Sequence, residues 1–340
     1  MTGTASQTGM GELATLGNLP TASVDFLQQV DRQMLELVQR RGGRISAAAI
    51  ELLASGGKRM RPLMVLAAQP LEHAATGSDN LVRAAAAVEL IHTASLVHDD
   101  LLDSAPLRRG RQTIASEHGP QVAVAVGDLL FSLAFATLVE CRAACSAETA
   151  TAAVQLLAET SRTLAEGEAL QSQQARNTSL TVDAYLDRCT RKTGVLFGAA
   201  LQLGALFGQA RDADRELLGR FGCQVGLAFQ LTDDVLDCLS PDTAATLGKE
   251  LGTDVRDGTM TLPLLLAAAA DERIEGQLRS DTPDVRLVLG LVAGTDAIAK
   301  SIEQALAISR EATLLLGGLD GEFDRQLLEG LAGRSVHRIA

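Results

Sequence analysis

The chain has 340 residues, of which 46% are hydrophobic and 21% are charged, so it is long enough to bury a large core. Its formal net charge of -12 argues against a nucleic-acid partner, because phosphates are repelled wherever basic residues do not cluster locally. An anionic ligand would therefore need a dedicated basic pocket.

The first 20 residues are rich in Gly, Thr and Ser and have no helical periodicity, which predicts a disordered leader over residues 1–20. The first basic residue is Arg32, so the charged region of a signal peptide is missing. No apolar run reaches the roughly 18 residues of a membrane span. Five cysteines without a CxxC pair indicate thiols in a reducing compartment. We expect a cytoplasmic protein with no transmembrane segment.

From residue 23 onward, apolar residues recur at helical spacing and are interrupted by Gly or Pro. Long Ala- and Leu-rich segments predict helices near 80–103, 120–142, 148–176, 181–208, 211–239 and 262–271, with shorter helices after about 283. No stretch has the sustained alternation of a strand. The pattern predicts one all-α domain over residues 21–340.

The segment LIHTASLVHDDLLDSAPLRRG, residues 90–110, contains a cluster of three acidic side chains, Asp99, Asp100 and Asp103. On a helix, Asp99 and Asp103 are one turn apart and face the same way, where like charges repel. The repulsion becomes useful if divalent cations lie beside the carboxylates, since hard oxygen ligands are those that Mg²⁺ prefers. The segment therefore suggests a metal site.

The segment GLAFQLTDDVLDCLS repeats this DDxxD spacing with Asp233, Asp234 and Asp237, again at the end of an apolar helical segment. Two solvated helix ends are the alternative interpretation, and for either motif alone it is about equally good. It fails for the pair, because acidic side chains at helix C-termini oppose the helix dipole unless a cation compensates them. We expect the two motifs to face each other across a bundle and to bind metal ions. Because Mg²⁺ usually keeps positions for water and substrate phosphates, the ligand is expected to be a phosphate ester.

Basic and polar side chains that could hold the phosphates are scattered along the chain. They lie in the segments GGKRMRP, LRRG, RKTG and LGKELGTD, and they are Lys58, Arg61, Arg108, Arg109, Lys192, Thr193 and Lys249. His92 lies two turns before Asp99 on the same predicted helix face, which favours a phosphate ligand over an ordinary core histidine. Gln230 lies three residues before Asp233, close to the second cluster.

The order of these motifs resembles the trans-polyprenyl diphosphate synthase family. The resemblance covers nearly the whole chain and includes GGKRMRP, HTASLVHDDLLDSAPLRRG, AEGEALQ, RKTGVLF, FQLTDDVLD and GKELGTDVRDGTMTLP. It implies an isoprenoid-synthase-type helical bundle around a deep central cavity, usually in a homodimer. It also implies a Mg²⁺-dependent enzyme that joins isopentenyl diphosphate to an allylic diphosphate through an allylic carbocation.

The resemblance also implies roles for individual residues. The magnesium ligands would be Asp99, Asp103 and Asp233, supported by Asp100, Asp234 and Asp237. The allylic diphosphate would contact Arg108, Lys192, Thr193, Gln230 and Lys249. Isopentenyl diphosphate would be held without metal by Lys58, Arg61, His92 and Arg109. We expect Asp99, Asp103, Asp233 and Lys192 to be catalytic. Many family members have a second Lys where this chain has Thr259, which removes one expected contact.

Product length is expected to depend on the helix face below Asp99, at Ser95, Ala94, Ile91 and Val88. In the family, bulky aromatic residues at the first two of these positions stop growth at farnesyl, whereas here both are small. The helix from Asp99 to Val88 spans roughly 16 Å at 1.5 Å per residue. We predict a product of geranylgeranyl length or longer, with Phe131 and Phe135 either as a deeper floor or as ordinary core packing.

Two other functions fit parts of the pattern. A class I terpene cyclase also ionises an allylic diphosphate, but it normally pairs one DDxxD motif with an Asn/Ser/Glu triad and needs no second basic site. A non-catalytic regulatory subunit of a heteromeric synthase would be expected to have lost aspartates, and all six are present here.

Overall fold

The computed structural model describes residues 19–73, 79–108, 110–141, 145–239 and 251–339. Within these ranges the chain is helical apart from turns and one two-stranded antiparallel hairpin, β1 (Leu107–Arg108) and β2 (Arg111–Gln112). The prediction of an all-α fold is confirmed. The described residues form two compact units, which are considered separately below.

The first unit comprises the chain up to Glu159 together with Ala199–Glu216 and Asp320–Asp324. Its helices are α1 (Thr21–Gln39), α2 (Gly43–Ala54), α3 (Met60–Ala67), α4 (Asp79–Leu102), α5 (Ile114–His118) and α6 (Pro120–Glu140). Helix α4 packs on α6, α3 and α1. Its middle is almost entirely buried, because apolar residues occupy nearly every side of it from Leu81 to Ile91.

The second unit comprises Thr160–Gly198, Leu217–Leu319 and Arg325–Ala340. Three helices have residues in both units: α7 (Ala147–Gln173), α9 (Val195–Phe207) and α10 (Asp212–Asp237). The other helices are α8 (Val182–Cys189), α11 (Thr253–Asp257), α12 (Leu262–Ala270), α13 (Glu272–Leu278), α14 (Val285–Ala293), α15 (Ala297–Leu315) and α16 (Arg325–Val336). Helix α12 is central to this unit, since it packs on α13, α14 and α15.

The predicted helices agree with the observed ones except in two places. The segment 181–208 is not one regular helix, because a π-helical turn, Thr190–Gly194, separates α8 from α9. Helix α3 begins at Met60, two residues before Pro62, instead of at the proline. Residues 1–18 lie outside the described residues, and the single-domain boundary at 21–340 remains a prediction.

Among the described residues, α4 and α6 are long and apolar enough to cross a membrane by length and composition alone. The most apolar window of α4 is 72% buried and that of α6 is 44% buried. Core helices of soluble proteins meet the same criterion, so this is weak support for a membrane span. The prediction of no transmembrane segment stays a prediction.

Candidate active site

The first aspartate cluster, Asp99, Asp100 and Asp103, lies at the C-terminal end of α4. The Asp103 N–H donates to the Asp99 carbonyl oxygen at 2.8 Å, so helical hydrogen bonding continues one residue past the end of the helix. Asp99 is half-buried and Asp103 is exposed, whereas Asp100 is buried. Asp99 and Asp103 are therefore the accessible carboxylates of this cluster.

Asp100 is held by Arg108 of the β-hairpin. The Arg108 Nε donates to Oδ1 of Asp100 at 2.6 Å. Burial raises the pKa of Asp100, and the guanidinium partly offsets this effect. The hairpin turns through Gly110, whose φ of +74° belongs to the left-handed region that glycine adopts without strain. Arg109, also predicted to bind substrate, lies outside the described residues.

The half-buried side chains of α4 before Asp99 follow one face of the helix. They recur at helical spacing and are His92, Ser95, Leu96 and Asp99. By contrast, Ala94, Ile91 and Val88 have 0% exposed surface, so no space the size of a water molecule adjoins them. Of the four predicted chain-length residues, only Ser95 therefore lies on the partly accessible face.

Phe131 of α6, considered above as a deeper floor, stacks on the His98 ring with the two centroids 5.9 Å apart. Both side chains are only half-buried. The stacking gives Phe131 a packing partner on α4. His98 was expected to be an ordinary packing residue, and no described contact assigns it another role.

Lys58 and Arg61 lie at the junction between α2 and α3. Lys58 is exposed and Arg61 is half-buried. Between them, Arg59 is buried and bonded to two carboxylates of the same unit. Three basic side chains within four residues thus have three different environments.

The second aspartate cluster, Asp233, Asp234 and Asp237, lies in the last turns of α10. Asp234 is 4% exposed and both of its carboxylate oxygens accept hydrogen bonds. The Tyr185 hydroxyl donates to Oδ2 at 2.6 Å, and Gln230 Nε2 donates to Oδ1 at 2.8 Å. Burial raises the pKa of Asp234, and these two donors oppose that shift.

The other two carboxylates of this cluster differ from each other. Asp237 is buried, and its Oδ2 accepts the backbone N–H of Asp254 at 2.9 Å, near the start of α11. Asp233 is 33% exposed and is paired with Arg338, which follows the last helix. Asp233 is therefore the accessible carboxylate of the second cluster.

The π-helical turn carries Lys192 and Thr193. Thr193 Oγ1 donates to Gln230 Oε1 at 2.8 Å, so Thr193, Gln230 and Asp234 form one chain of hydrogen bonds. A chain of this kind holds each side chain in one orientation. Sequence analysis predicted all three as site residues, and the structure brings them together.

Lys192 pairs with two residues of α7. Its Nζ lies 2.5 Å from Glu168 Oε2 and 3.1 Å from Gln171 Oε1. Gly167 permits this approach, since a Cβ there would lie 2.5 Å from the Lys192 backbone nitrogen. The glycine is needed where α7 meets the turn. Lys249, another predicted phosphate ligand, lies outside the described residues.

Comparison with known proteins decides the family. The polyprenyl synthetase family model matches residues 43–288. The chain belongs to the polyprenyl synthetase family. Its relatives are prenyl diphosphate synthases of several product lengths, so this polyprenyl synthetase is a transferase of prenyl groups.

Individual relatives of this polyprenyl synthetase match over most of its length. Heptaprenyl diphosphate synthase component 2 of Geobacillus stearothermophilus is 37% identical over 316 residues, covering 91% of this chain and 94% of that protein. Nonaprenyl diphosphate synthase of Mycobacterium tuberculosis is 36% identical and covers 86% and 87%, respectively. The crystal structure of a Caulobacter crescentus CB15 polyprenyl synthase, complexed with calcium and isoprenyl diphosphate, matches with a TM-score of 0.83 at 36% identity, covering 98% of this chain and 99% of that one.

Sequence reasoning did not single out several residues that hold the polyprenyl synthetase site in shape. They are Arg59, Glu168, Gln171, Tyr185 and Arg338. Arg59, Glu168 and Gln171 lie inside motifs already noted, GGKRMRP and AEGEALQ, and could have been found there. Tyr185 is the single tyrosine of the chain. Arg338 gave no sequence signal, because its proximity to Asp233 depends on how the chain end folds back.

Proposed function

We propose that this chain is a Mg²⁺-dependent synthase that condenses isopentenyl diphosphate with an allylic diphosphate, head to tail and in the trans configuration. The observation that carries the proposal is the repeated DDxxD motif at two helix ends, each with at least one accessible carboxylate. These carboxylates are Asp99, Asp103 and Asp233. Supporting this, a relative was crystallised with a divalent cation and an isoprenyl diphosphate.

The donor set suits magnesium. Asp99, Asp103 and Asp233 offer hard carboxylate oxygens, which Mg²⁺ prefers, and too few of them to fill its six positions. The remaining positions suit water and substrate phosphates. Asp100, Asp234 and Asp237 are buried and hydrogen-bonded, so we assign them the supporting role of holding the helix ends. When bound, Mg²⁺ would neutralise the charge that develops on a departing diphosphate.

We assign the basic side chains to two phosphate groups. Arg108, Lys192 and Lys249, with the polar Thr193 and Gln230, bind the allylic diphosphate. Lys58, Arg61, His92 and Arg109 bind isopentenyl diphosphate without metal. The exposure of Lys58 supports this role, because a lysine with its ammonium in solvent is available to an incoming phosphate.

The reaction begins when the carbon–oxygen bond of the allylic diphosphate breaks and leaves an allylic carbocation. The double bond of isopentenyl diphosphate then supplies the electron pair of the new carbon–carbon bond. Loss of a proton restores a double bond, and the released diphosphate is the base. Lys192 and Arg108 stabilise the leaving diphosphate by charge, and the apolar side chains of the site exclude water that would quench the cation.

For product length, we propose geranylgeranyl or longer. The small Ser95 lies on the partly accessible face of α4, where a growing chain meets no aromatic side chain at this level. Ser95→Phe should shorten the product while the metal and phosphate ligands stay intact. Ala94→Phe should shorten it less cleanly, since Ala94 is fully packed and a ring there costs roughly 1–3 kcal/mol of stability. Chromatography of the dephosphorylated products decides the matter, and an unchanged length in both variants would contradict this path.

We also propose a cytoplasmic homodimer. All five cysteines are free thiols, as expected in a reducing compartment. Helix α6 leaves Val124 43% exposed and Val139 48% exposed, and a second copy of the chain would cover them. Light scattering should give twice the chain mass, and Val139→Asp should shift it toward the monomer. A monodisperse monomer in the wild type would contradict the dimer.

Incubation of the purified chain with isopentenyl diphosphate, an allylic primer and Mg²⁺ tests the proposed activity. We expect elongated prenyl diphosphates, no turnover after removal of divalent cations with EDTA, and recovery when Mg²⁺ is restored. Cyclic hydrocarbons lacking a diphosphate would instead identify a terpene cyclase. Because one relative is named as component 2 of its synthase, inactivity of a folded chain alone would favour a subunit of a heteromeric enzyme.

A further inference from the structure

Arg59 is a buried arginine inside the GGKRMRP segment. Its side chain is 6% exposed, although the neighbouring Lys58 is exposed and Arg61 is half-buried. Arginine is rarely buried to this extent unless it is paired. The pairing of this side chain therefore indicates what it does.

Three acceptors from three helices surround the Arg59 guanidinium. Nε donates to Oδ1 of Asp31 on α1 at 2.8 Å, and Nη1 donates to Oε1 of Glu89 on α4 at 3.0 Å. Nη2 donates to the carbonyl oxygen of Leu53, near the end of α2, at 3.3 Å. The planar fork of arginine can serve three such directions at once, whereas a lysine ammonium is a compact charge on a flexible stem.

The Arg59 backbone is in an unfavourable conformation. Its φ of +49° lies in the left-handed region, which side chains with a Cβ rarely adopt. Its carbonyl oxygen accepts the N–H of Leu63 at 3.1 Å, which is the first turn of α3. Residues in such conformations persist when the surrounding structure holds them, and they cluster at binding sites.

The side chain and backbone of Arg59 together determine the path of residues 55–59. One end of the loop is tied to Leu53 through the guanidinium, and the other end begins α3 through the Arg59 carbonyl. The positive charge of Arg59 is compensated by two carboxylates, so little of it is left to attract an anion. Its contribution is geometric.

We propose that Arg59 is a positioning residue for the isopentenyl diphosphate site, held by Asp31 and Glu89 so that Lys58 and Arg61 are presented to the diphosphate in one arrangement. This inference rests on the proposed function of Lys58 and Arg61. Glu89 lies three residues before His92 on α4, so the same guanidinium ties the loop to the helix that carries a third predicted ligand.

The test is Arg59→Lys, which retains the charge and loses the fork. We expect the KM for isopentenyl diphosphate to rise about tenfold, since displacement of binding groups by about 1 Å can cost as much as 10²-fold. The KM for the allylic primer should stay within about twofold. Calorimetric titration of isopentenyl diphosphate without primer or Mg²⁺ should show the same loss of affinity. A merely structural role would lower the Tm or change both KM values together.

A second variant covers the case in which Arg59→Lys does not fold. Asp31 is 36% exposed, so Asp31→Asn should leave the fold intact while weakening the hold on Arg59, and it should raise the same KM. Arg211 is the matched control, because it also lies between two carboxylates, Asp214 and Asp320, in the same unit. Arg211→Lys should leave both KM values unchanged.

The outcomes separate this inference from the proposed function. If Lys58→Ala raises the KM for isopentenyl diphosphate but folded Arg59→Lys and Asp31→Asn do not, the positioning role is wrong and the site assignment stands. Equal increases in both KM values would also overturn the positioning role. If the wild-type chain neither binds nor consumes isopentenyl diphosphate, the proposed function itself is wrong.

Discussion

The two aspartate motifs have the same spacing and lie at equivalent helix ends, yet their surroundings differ. In the first, only the middle carboxylate, Asp100, is buried, and a half-exposed arginine holds it. In the second, both Asp234 and Asp237 are buried and hydrogen-bonded, and only Asp233 is accessible. Identical sequence motifs thus provide two accessible carboxylates in one unit and one in the other.

This difference follows from what each helix end meets. Helix α4 ends in a short turn and a two-residue hairpin, which leaves Asp103 in solvent. Helix α10 ends beside α8 and α11, which supply the Tyr185 hydroxyl and the Asp254 N–H to its carboxylates. The first cluster is therefore suited to exchange ligands, and the second is built more rigidly.

The largest effect is expected at the accessible carboxylates. Asp99→Ala should lower turnover on the order of 10²–10³-fold, because one ligand that stabilises the leaving diphosphate is lost. The free energy of unfolding should stay within about 0.5 kcal/mol, since removing one of two like charges near a helix C-terminus relieves repulsion. Steady-state kinetics and urea unfolding measure the two quantities.

Asp233→Ala should lower turnover to a similar extent if the second cluster also binds metal. Retention of more than half of the wild-type turnover in either purified, folded variant would refute the two-cluster proposal. A large loss in one variant alone would mean that only that cluster binds metal.

A smaller effect is expected at the buried network of the second cluster. Tyr185→Phe keeps the ring and removes the donor to Asp234, leaving a buried carboxylate oxygen without that bond. The free energy of unfolding should fall by about 1–3 kcal/mol. Burial, with the nearby Asp234 charge, raises the pKa of Tyr185 well above its ordinary value, so the hydroxyl remains a donor at alkaline pH. Chemical denaturation at pH 7 and pH 9 should therefore give the same difference between wild type and variant.

The corresponding change in the first cluster is Arg108→Gln, which weakens the hold on Asp100. Because Arg108 is 37% exposed, water can replace part of the lost interaction, and we expect a loss of only about 1 kcal/mol. Denaturation under the same conditions as for Tyr185→Phe provides the comparison. If Arg108→Gln proved the more damaging variant, the view that the second cluster is the more rigid one would have to be abandoned.

The smallest effect concerns Arg338, the partner of Asp233. Both side chains are about one-third exposed, so Arg338→Gln should change the free energy of unfolding by no more than about 0.5 kcal/mol. Loss of the competing cation should lower the Mg²⁺ concentration for half-maximal turnover by about twofold, which is a free-energy change of about 0.4 kcal/mol. A higher Mg²⁺ requirement would mean that Arg338 assists metal binding instead of competing with it.

The sequence alone determined the helical class, the approximate bounds of the long helices and the position of both aspartate motifs at helix ends. These features are local, because hydrophobic periodicity and helix-end spacing depend on residues within a few turns of each other. The motifs also identified the family, which the comparisons confirm.

Only the tertiary structure decided which carboxylate of each motif is buried and what holds it. Asp100 and Asp234 occupy the same place in their motifs, but one is bonded to Arg108, eight residues away, and the other to Tyr185, 49 residues away. The roles of Arg59 and Arg338 likewise depend on partners 28 and 105 residues distant. Burial and long-range hydrogen bonds arise from how the helices pack, and no local pattern of residues encodes them.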